Sequence, residues 1–154
     1  MNGPKFAVQR SIHARELLAT VRDAWIDSTS ANGKPYLIPL TYQWDGTSMF
    51  FSTPEKSRTG RDFRRNPTTR ASLPSTRDVV ILDGSIRFHD PAQIVSRIDA
   101  FVAQHEWDPR LEPNRFASFT FTPGQVQAWA IASELPTLVV MRDGVLLDGS
   151  GQPQ

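Results

Sequence analysis

The sequence contains no cysteine. That excludes a disulfide scaffold, a thiolate zinc site, a cysteine nucleophile and a cysteine-held iron–sulfur cluster. Histidine is scarce as well: His13, His89 and His105 stand far apart, with no His-Glu-x-x-His pattern and no carboxylate cluster at ligand spacing. No metal site is expected. No Gly-x-Ser-x-Gly elbow, Walker-type loop or dinucleotide-type glycine loop occurs, so neither a serine hydrolase nor a nucleotide-loop enzyme is expected. No apolar run approaches the ~18 residues of a membrane span, and Met1–Arg10 has no apolar segment of signal-peptide type. The expectation is a soluble, cytoplasmic protein with no membrane partner.

What is present fits one globular unit. The 154 residues are 39% hydrophobic and 21% charged, which predicts a single domain over 1–154, with its core at about 11–148 and a frayed tail at 149–154. Asn32-Gly33, Asp45-Gly46, Asp83-Gly84 and Asp143-Gly144 each separate short β-branched or aromatic runs. Such dipeptides suit type I′ turns, because both central residues need positive φ. They predict strands at 25–30, 36–44, 48–52, 79–82, 85–88, 138–141 and 145–147. Alternation predicts two more strands, 116–121 and 126–131, on either side of Thr122-Pro123-Gly124. Helical spacing predicts a helix over about 11–22 with Ser11 as N-cap, and another over 91–105 with His105 as a capping or surface residue at its end. Trp107-Asp108-Pro109-Arg110 should form a loop, with Arg110 free to reach an anion. The fold class is therefore α+β, mainly β: an antiparallel barrel of six to eight strands with two or three flanking helices. Pro39, inside a strand, marks an edge, a bulge or a stretch that faces something other than a neighbouring strand.

Charge is unevenly placed. Lys56 to Arg70 carries +5, which leaves −4 for the rest of a chain whose net charge is +1. Arginine supplies most of the cations, 14 against three lysines, and its fork suits phosphate and carboxylate. Phe63 is the lone aromatic residue among these cations, and a net charge of +1 is small, so no nucleic-acid partner is expected. Ser52 to Arg61 reads as a strand running into a turn rich in hydroxyls and cations, followed by a short helix or loop over 57–65. Hydroxyls, helix-start N–H groups and arginine forks together make a phosphate site. Trp129 shares a strand face with Gln127 and Ile131 and is expected beside a cofactor or at a subunit interface.

These blocks, in order, resemble the flavin-binding split-barrel family related to pyridoxamine 5′-phosphate oxidase. The segment from Trp25 to Leu40 is similar to the family's first hairpin, Trp44-Asp45-Gly46 to its next turn, and Arg77 to Ile86 to a later one. Phe51-Ser52-Thr53, Ser57-Arg58-Thr59 and Asn66-Pro67 resemble its phosphate segment. Trp107 to Arg110, Val126 to Trp129 and Met141 to Gly144 resemble blocks of an actinobacterial branch. The resemblance covers roughly residues 20 to 148.

It implies a homodimeric split barrel with cofactor sites at the interface. Ile38, Pro39 and Leu40 would lie along the flavin ring system, Ser52 and Thr53 would line the cofactor, and Ser57 and Arg58 would hold its phosphate. The family's oxidase has a lysine where this chain has Thr59, and Lys56 or Arg61 would supply that cation. The pattern that grips pyridoxal phosphate is not recognisable here, so pyridoxamine phosphate oxidase activity itself is not expected. The implied function is an oxidoreductase that uses FMN or the deazaflavin coenzyme F420 on a small organic substrate. The cofactor performs the hydride chemistry, so no catalytic side chain is assigned. Tyr42, a water or the substrate would provide the proton. The alternative is a non-catalytic protein of the same fold that binds or sequesters flavin or haem. Haem is the weaker of these, because it wants an axial ligand and only His89 follows a predicted strand.

Overall fold

In the computed structural model, which describes residues 5–147 together with Gln152 and Pro153, the chain begins with helix α1 (Ala7–Thr20). The helix starts ahead of the predicted boundary because its cap lies at Phe6. There the Phe6 N–H donates to the Gln9 side chain at 3.0 Å. Ser11 is not the cap; it lies inside the helix and donates back to the Val8 carbonyl at 2.8 Å. Ala7, Ala14 and Leu18 fall on the buried face.

The strands are β1 (Asp23–Thr29), β2 (Pro35–Thr41), β3 (Gln43–Trp44), β4 (Met49–Pro54), β5 (Thr68–Ser72), β6 (Val79–His89), β7 (Phe116–Trp129), β8 (Val139–Arg142) and β9 (Val145–Leu146). All pairings are antiparallel, and the main path runs β2-β1-β5-β6-β7-β4-β3, with β8 and β9 attached to β7. The first and last strands of that path, β2 and β3, are joined through Tyr42 alone. Chain continuity therefore curls the sheet into a split barrel. Tyr42 is fully buried at this seam. Its N–H donates to the Arg22 carbonyl at 3.1 Å, its hydroxyl to the Leu18 carbonyl at 2.9 Å, and the His105 ring lies 2.6 Å from its own carbonyl.

The barrel interior is filled by residues such as Ile26, Met49, Phe51, Leu82 and Phe119. Strand β4 is buried on both faces, as its unbroken Met49-Phe50-Phe51 run requires. Phe51 faces the barrel. Phe50 faces outward into a second cluster, with Ile98 and Phe101 of helix α3 (Val95–His105). His105 belongs to that interior and is 7% exposed, contrary to the expectation of a surface cap. The predicted helix over 91–105 is broken, because a 3₁₀ turn (Pro91–Gln93) precedes α3.

Two predicted hairpins are single strands. Asp83-Gly84 lies in the middle of β6, and Thr122-Pro123-Gly124 in the middle of β7. The two sites face each other at a bulge, where Gly84 pairs with Pro123 and Asp83 with Gln125. Gly124 is the extra residue, and Pro123, which lacks an N–H, is tolerated there. Glycine is required at position 84 because the chains approach closely: a Cβ would sit 2.1 Å from the Thr122 carbonyl oxygen. Of the four dipeptides, only Asp143-Gly144 has both residues at positive φ, 49° and 78°, as a type I′ turn demands. At Asn32-Gly33 and Asp45-Gly46 only the glycine does.

Strand β5 was not expected from its sequence, Thr-Thr-Arg-Ala-Ser. The predicted 36–44 strand is divided at Tyr42. The expected tail at 149–154 lies outside the described residues apart from Gln152 and Pro153, the latter bridged to Leu147.

Candidate functional site

Strand β4 ends at Pro54 and runs through a turn into helix α2 (Arg58–Arg65). The turn closes through Ser57 N–H to the Pro54 carbonyl at 3.0 Å. Ser57 caps the helix: its hydroxyl accepts the Gly60 N–H at 3.1 Å and lies 3.4 Å from the Thr53 hydroxyl. Gly60 is needed for this closeness, since a Cβ there would meet the Pro54 and Glu55 carbonyl oxygens at 2.8 and 2.9 Å. The predicted "helix or loop" at 57–65 is thus a capped helix with its N-terminus at the strand end.

A groove of about 1030 Å³ opens beside this junction, lined by Lys56, Ser57, Arg61, Arg64 and Arg115 among others. Its one acid is Glu55, which pairs with Arg64 at 3.1 Å and Arg115 at 3.0 Å. Arg61 donates to the Lys56 carbonyl at 2.9 Å. Lys56 and Arg61 are exposed and make no ion pair among the described residues. Cations outnumber acids in the groove, and the first-turn N–H groups of α2 add to the positive field.

Arg58 leaves the helix on the side of β2. Its guanidinium carbon lies 4.3 Å from the centre of the Tyr36 ring, one of its nitrogens reaches the Lys34 carbonyl at 3.4 Å, and its Nε is 3.7 Å from Asp62. Asp62 is buried, accepts the Ser28 hydroxyl at 3.1 Å and sits 3.7 Å from Arg65. One buried carboxylate thus braces two arginines of the basic helix against β1.

Strand β2 pairs only with β1 in the described ladder, and Pro39 lies opposite Trp25. Pro39 and Leu37 are exposed, Ile38 and Leu40 half-buried. Pro39 is therefore the proline of an edge strand, whose free side faces away from β1.

The other predicted site residues are placed as follows. Ser52 is buried, and its hydroxyl donates to the Ala117 carbonyl at 2.8 Å. It lines a small neighbouring cavity, with Arg110 and Arg115 at its rim, rather than the basic groove. Thr53 is buried beneath the Ser57 cap, and Thr59 is buried in α2 and does not line the groove. Trp129 is half-buried at the far end of β7, opposite Val79, and does not join the groove within one chain. Arg110 is not free: Asp108 and Asp99 hold it at 2.8 and 2.9 Å. The Trp107–Arg110 segment contains a 3₁₀ turn (Pro109–Leu111) capped by Asp108. Tyr42 is fully buried, and its hydroxyl is directed to the Leu18 carbonyl rather than into the groove. Burial and then Asp23 push its pKa further above the ordinary 10.0, so it keeps its proton on the Leu18 carbonyl.

Sequence reasoning missed Tyr36, Arg115 and the bracing role of Asp62. Asp62 was visible as the single acid in the basic window, which is the pattern of an internal brace. Arg115 had no local signal, because it reaches the groove by preceding β7.

No family model matches the chain, and no curated protein is similar to it in sequence. Solved structures share its fold. One is a protein from Clostridium acetobutylicum, related to a general stress protein and assigned to the pyridoxinephosphate oxidase family: 17% identity, TM-score 0.63, covering 79% of this chain and 89% of that one. Another is an F420 reductase, at 13% identity and TM-score 0.61, covering 73% and 94%. A third is a haem-binding protein from Mycobacterium smegmatis, at 16% identity and TM-score 0.63, covering 86% of this chain but 57% of that one. The chain thus has the split-barrel fold of pyridoxamine 5′-phosphate oxidase-like proteins, as the motif resemblance implied.

Proposed function

We propose that this protein binds a flavin-type cofactor, FMN or the deazaflavin F420, and serves as an oxidoreductase on a small organic substrate. The observation that carries this reading is the junction of β4 with α2. A helix start capped by the Ser57 hydroxyl and a cationic groove lie next to an unpaired strand edge, with Arg58, outside the groove's lining, resting on Tyr36 of that edge. That donor set fits a phosphate. In this reading Ser57, Arg58 and Lys56 or Arg61 hold the phosphate, and the Ile38–Leu40 edge lies along the ring system. The bound cofactor supplies hydride transfer. The chain's residues bind and orient it, and the apolar side chains around β2 shield it from water.

The F420 reductase with this fold supports the deazaflavin option, and the motif resemblance supports FMN. The haem alternative is less well supported. The His89 ring bonds to Thr120 at 2.7 Å, His105 bonds to the Tyr42 carbonyl, and His13 lies 2.5 Å from Asp78. Each of these contacts engages Nε2, so a haem would have to take Nδ1 or displace the present partner. A homodimer, with the edge of β2 and Trp129 brought to a shared interface, completes the proposal.

The test is the absorption spectrum of protein purified from a host that makes both cofactors, followed by titration of FMN and F420 into wild type and Arg58→Ala. Each charge-assisted hydrogen bond contributes about 1.5–3 kcal/mol, so Arg58→Ala should weaken binding by about one to two powers of ten. Failure of wild type to bind either cofactor overturns the proposal.

A further inference from the structure

A second cavity, of about 610 Å³, lies at the other end of β4, beyond the turn at Gly46 and Thr47. It shares no lining residue with the phosphate groove. Strand β4 is six residues long, so the two sites are separated by roughly 17–20 Å. The volume lies within the ~300–1,000 Å³ typical of small-molecule sites.

The cavity is built rather than accidental. Helix α1 contributes Ala14 and Leu18, and β7 and β8 contribute Val126 and Val140, all continuous with the barrel core. Trp44 closes one side. The space exists because β6 and β7 bulge there and four of the nine glycines, at 46, 84, 124 and 144, line it without side chains. Nothing restricts Gly124 by contact: a Cβ there would meet its nearest atom, an Asp143 carboxylate oxygen, at 3.6 Å.

The rim carries charge that the fold does not use. Arg15 and Asp143 both line the cavity, and neither side chain has an ion pair or hydrogen bond among the described residues. Arg142, next to Asp143 on the same hairpin, is likewise exposed and unpaired among them. The charged groups that line the cavity are therefore one of each sign, Arg15 from α1 and Asp143 from the β8–β9 turn, over an apolar interior, with Arg142 outside the lining. An arginine fork above an apolar chamber selects a ligand with one carboxylate and a hydrocarbon or aromatic body.

We propose that this cavity is a binding site for a small, mainly apolar carboxylic acid, with its carboxylate on Arg15 and its body between α1, Trp44 and the β6–β7 bulge. The site is independent of the cofactor reading, and its test needs no cofactor.

The experiment is calorimetric titration of the full chain with decanoate and with decanol, its uncharged analogue. Decanoate should bind more tightly than decanol. Arg15→Gln, at an exposed helix position, should weaken decanoate by about tenfold while leaving decanol unchanged. Asp143→Asn should strengthen decanoate, since it removes a like charge, and asparagine tolerates the left-handed backbone at that position. Gly124→Leu should fill the chamber and abolish binding of both, with a thermal melt confirming that the variant folds. Absence of decanoate binding, equal affinity for decanoate and decanol, or an unchanged decanoate affinity in Arg15→Gln would each overturn the proposal.

Discussion

The Arg58 guanidinium rests on the face of Tyr36, 4.3 Å from the ring centre. This contact ties the basic helix to the exposed edge of β2, two elements that are 22 residues apart in the chain. A cation held on an aromatic face is worth about 0.5–1 kcal/mol at an exposed site. Tyr36→Leu should therefore weaken cofactor affinity about two- to fivefold, with an unaltered fold. Fluorescence titration of the cofactor reads this directly. An affinity equal to wild type would mean that Arg58 needs no such support.

Asp62 is buried between Ser28, Arg58 and Arg65. Asp62→Asn keeps an acceptor for the Ser28 hydroxyl but leaves the two arginines without their counter-charge. Stability should fall by about 1–3 kcal/mol, measured as a lower urea midpoint at unchanged slope. A midpoint identical to wild type would show that solvent already screens both pairs.

Gly84→Ala should destabilise the protein by at least about 2 kcal/mol, because its Cβ would be driven into the Thr122 carbonyl. Gly124→Ala, directly across the bulge, has room and should cost far less. Thermal melts of the two variants side by side separate backbone crowding from a general intolerance at the bulge.

Asp45 gives a pH dependence. Partial burial acts to raise its pKa, but the Ser48 and Thr47 N–H groups, at 2.8 and 2.9 Å, together with Arg97, outweigh that effect. Its pKa in the folded state lies below the ordinary 3.8. The group therefore adds stability above about pH 3.8 that is lost as pH falls further. Asp45→Asn should melt lower than wild type at pH 7, with the gap narrowing below that value. A gap that is constant from pH 7 to 3 would exclude the charge as its source.

Elements with strong local signals were legible. The β1–β2 hairpin and the β8–β9 turn at Asp143-Gly144 follow from short-range chemistry, whereas the segment of α2 was legible only as a short helix or a loop. Asp83-Gly84 misled because the same dipeptide serves a bulge as well as a turn, and only the partner strand decides which. Strand β5 was invisible because Thr68–Ser72 carries little apolar pattern, and β1 and β6 on either side recruit it. The basic groove was legible as charge. The pairing of Asp62 with Arg58 and Arg65 is local helical spacing, but the burial of Asp62 against Ser28 and the far wall at Arg115 depend on packing across the sheet, which no spacing reveals.

Strand β7 has a consequence for how the chain comes into being. It is the partner of β4, β6 and β8, yet it begins only at Phe116. The Met49-Phe50-Phe51 run cannot meet Phe119 until some seventy further residues have been synthesised, which takes about 4–14 s at typical ribosomal rates. For that interval a strand buried on both faces has only the two-residue β3 as its partner. Synthesis that stalls between β5 and β7 should therefore release aggregating fragments, and chaperones that protect emerging chains should be needed most in that window.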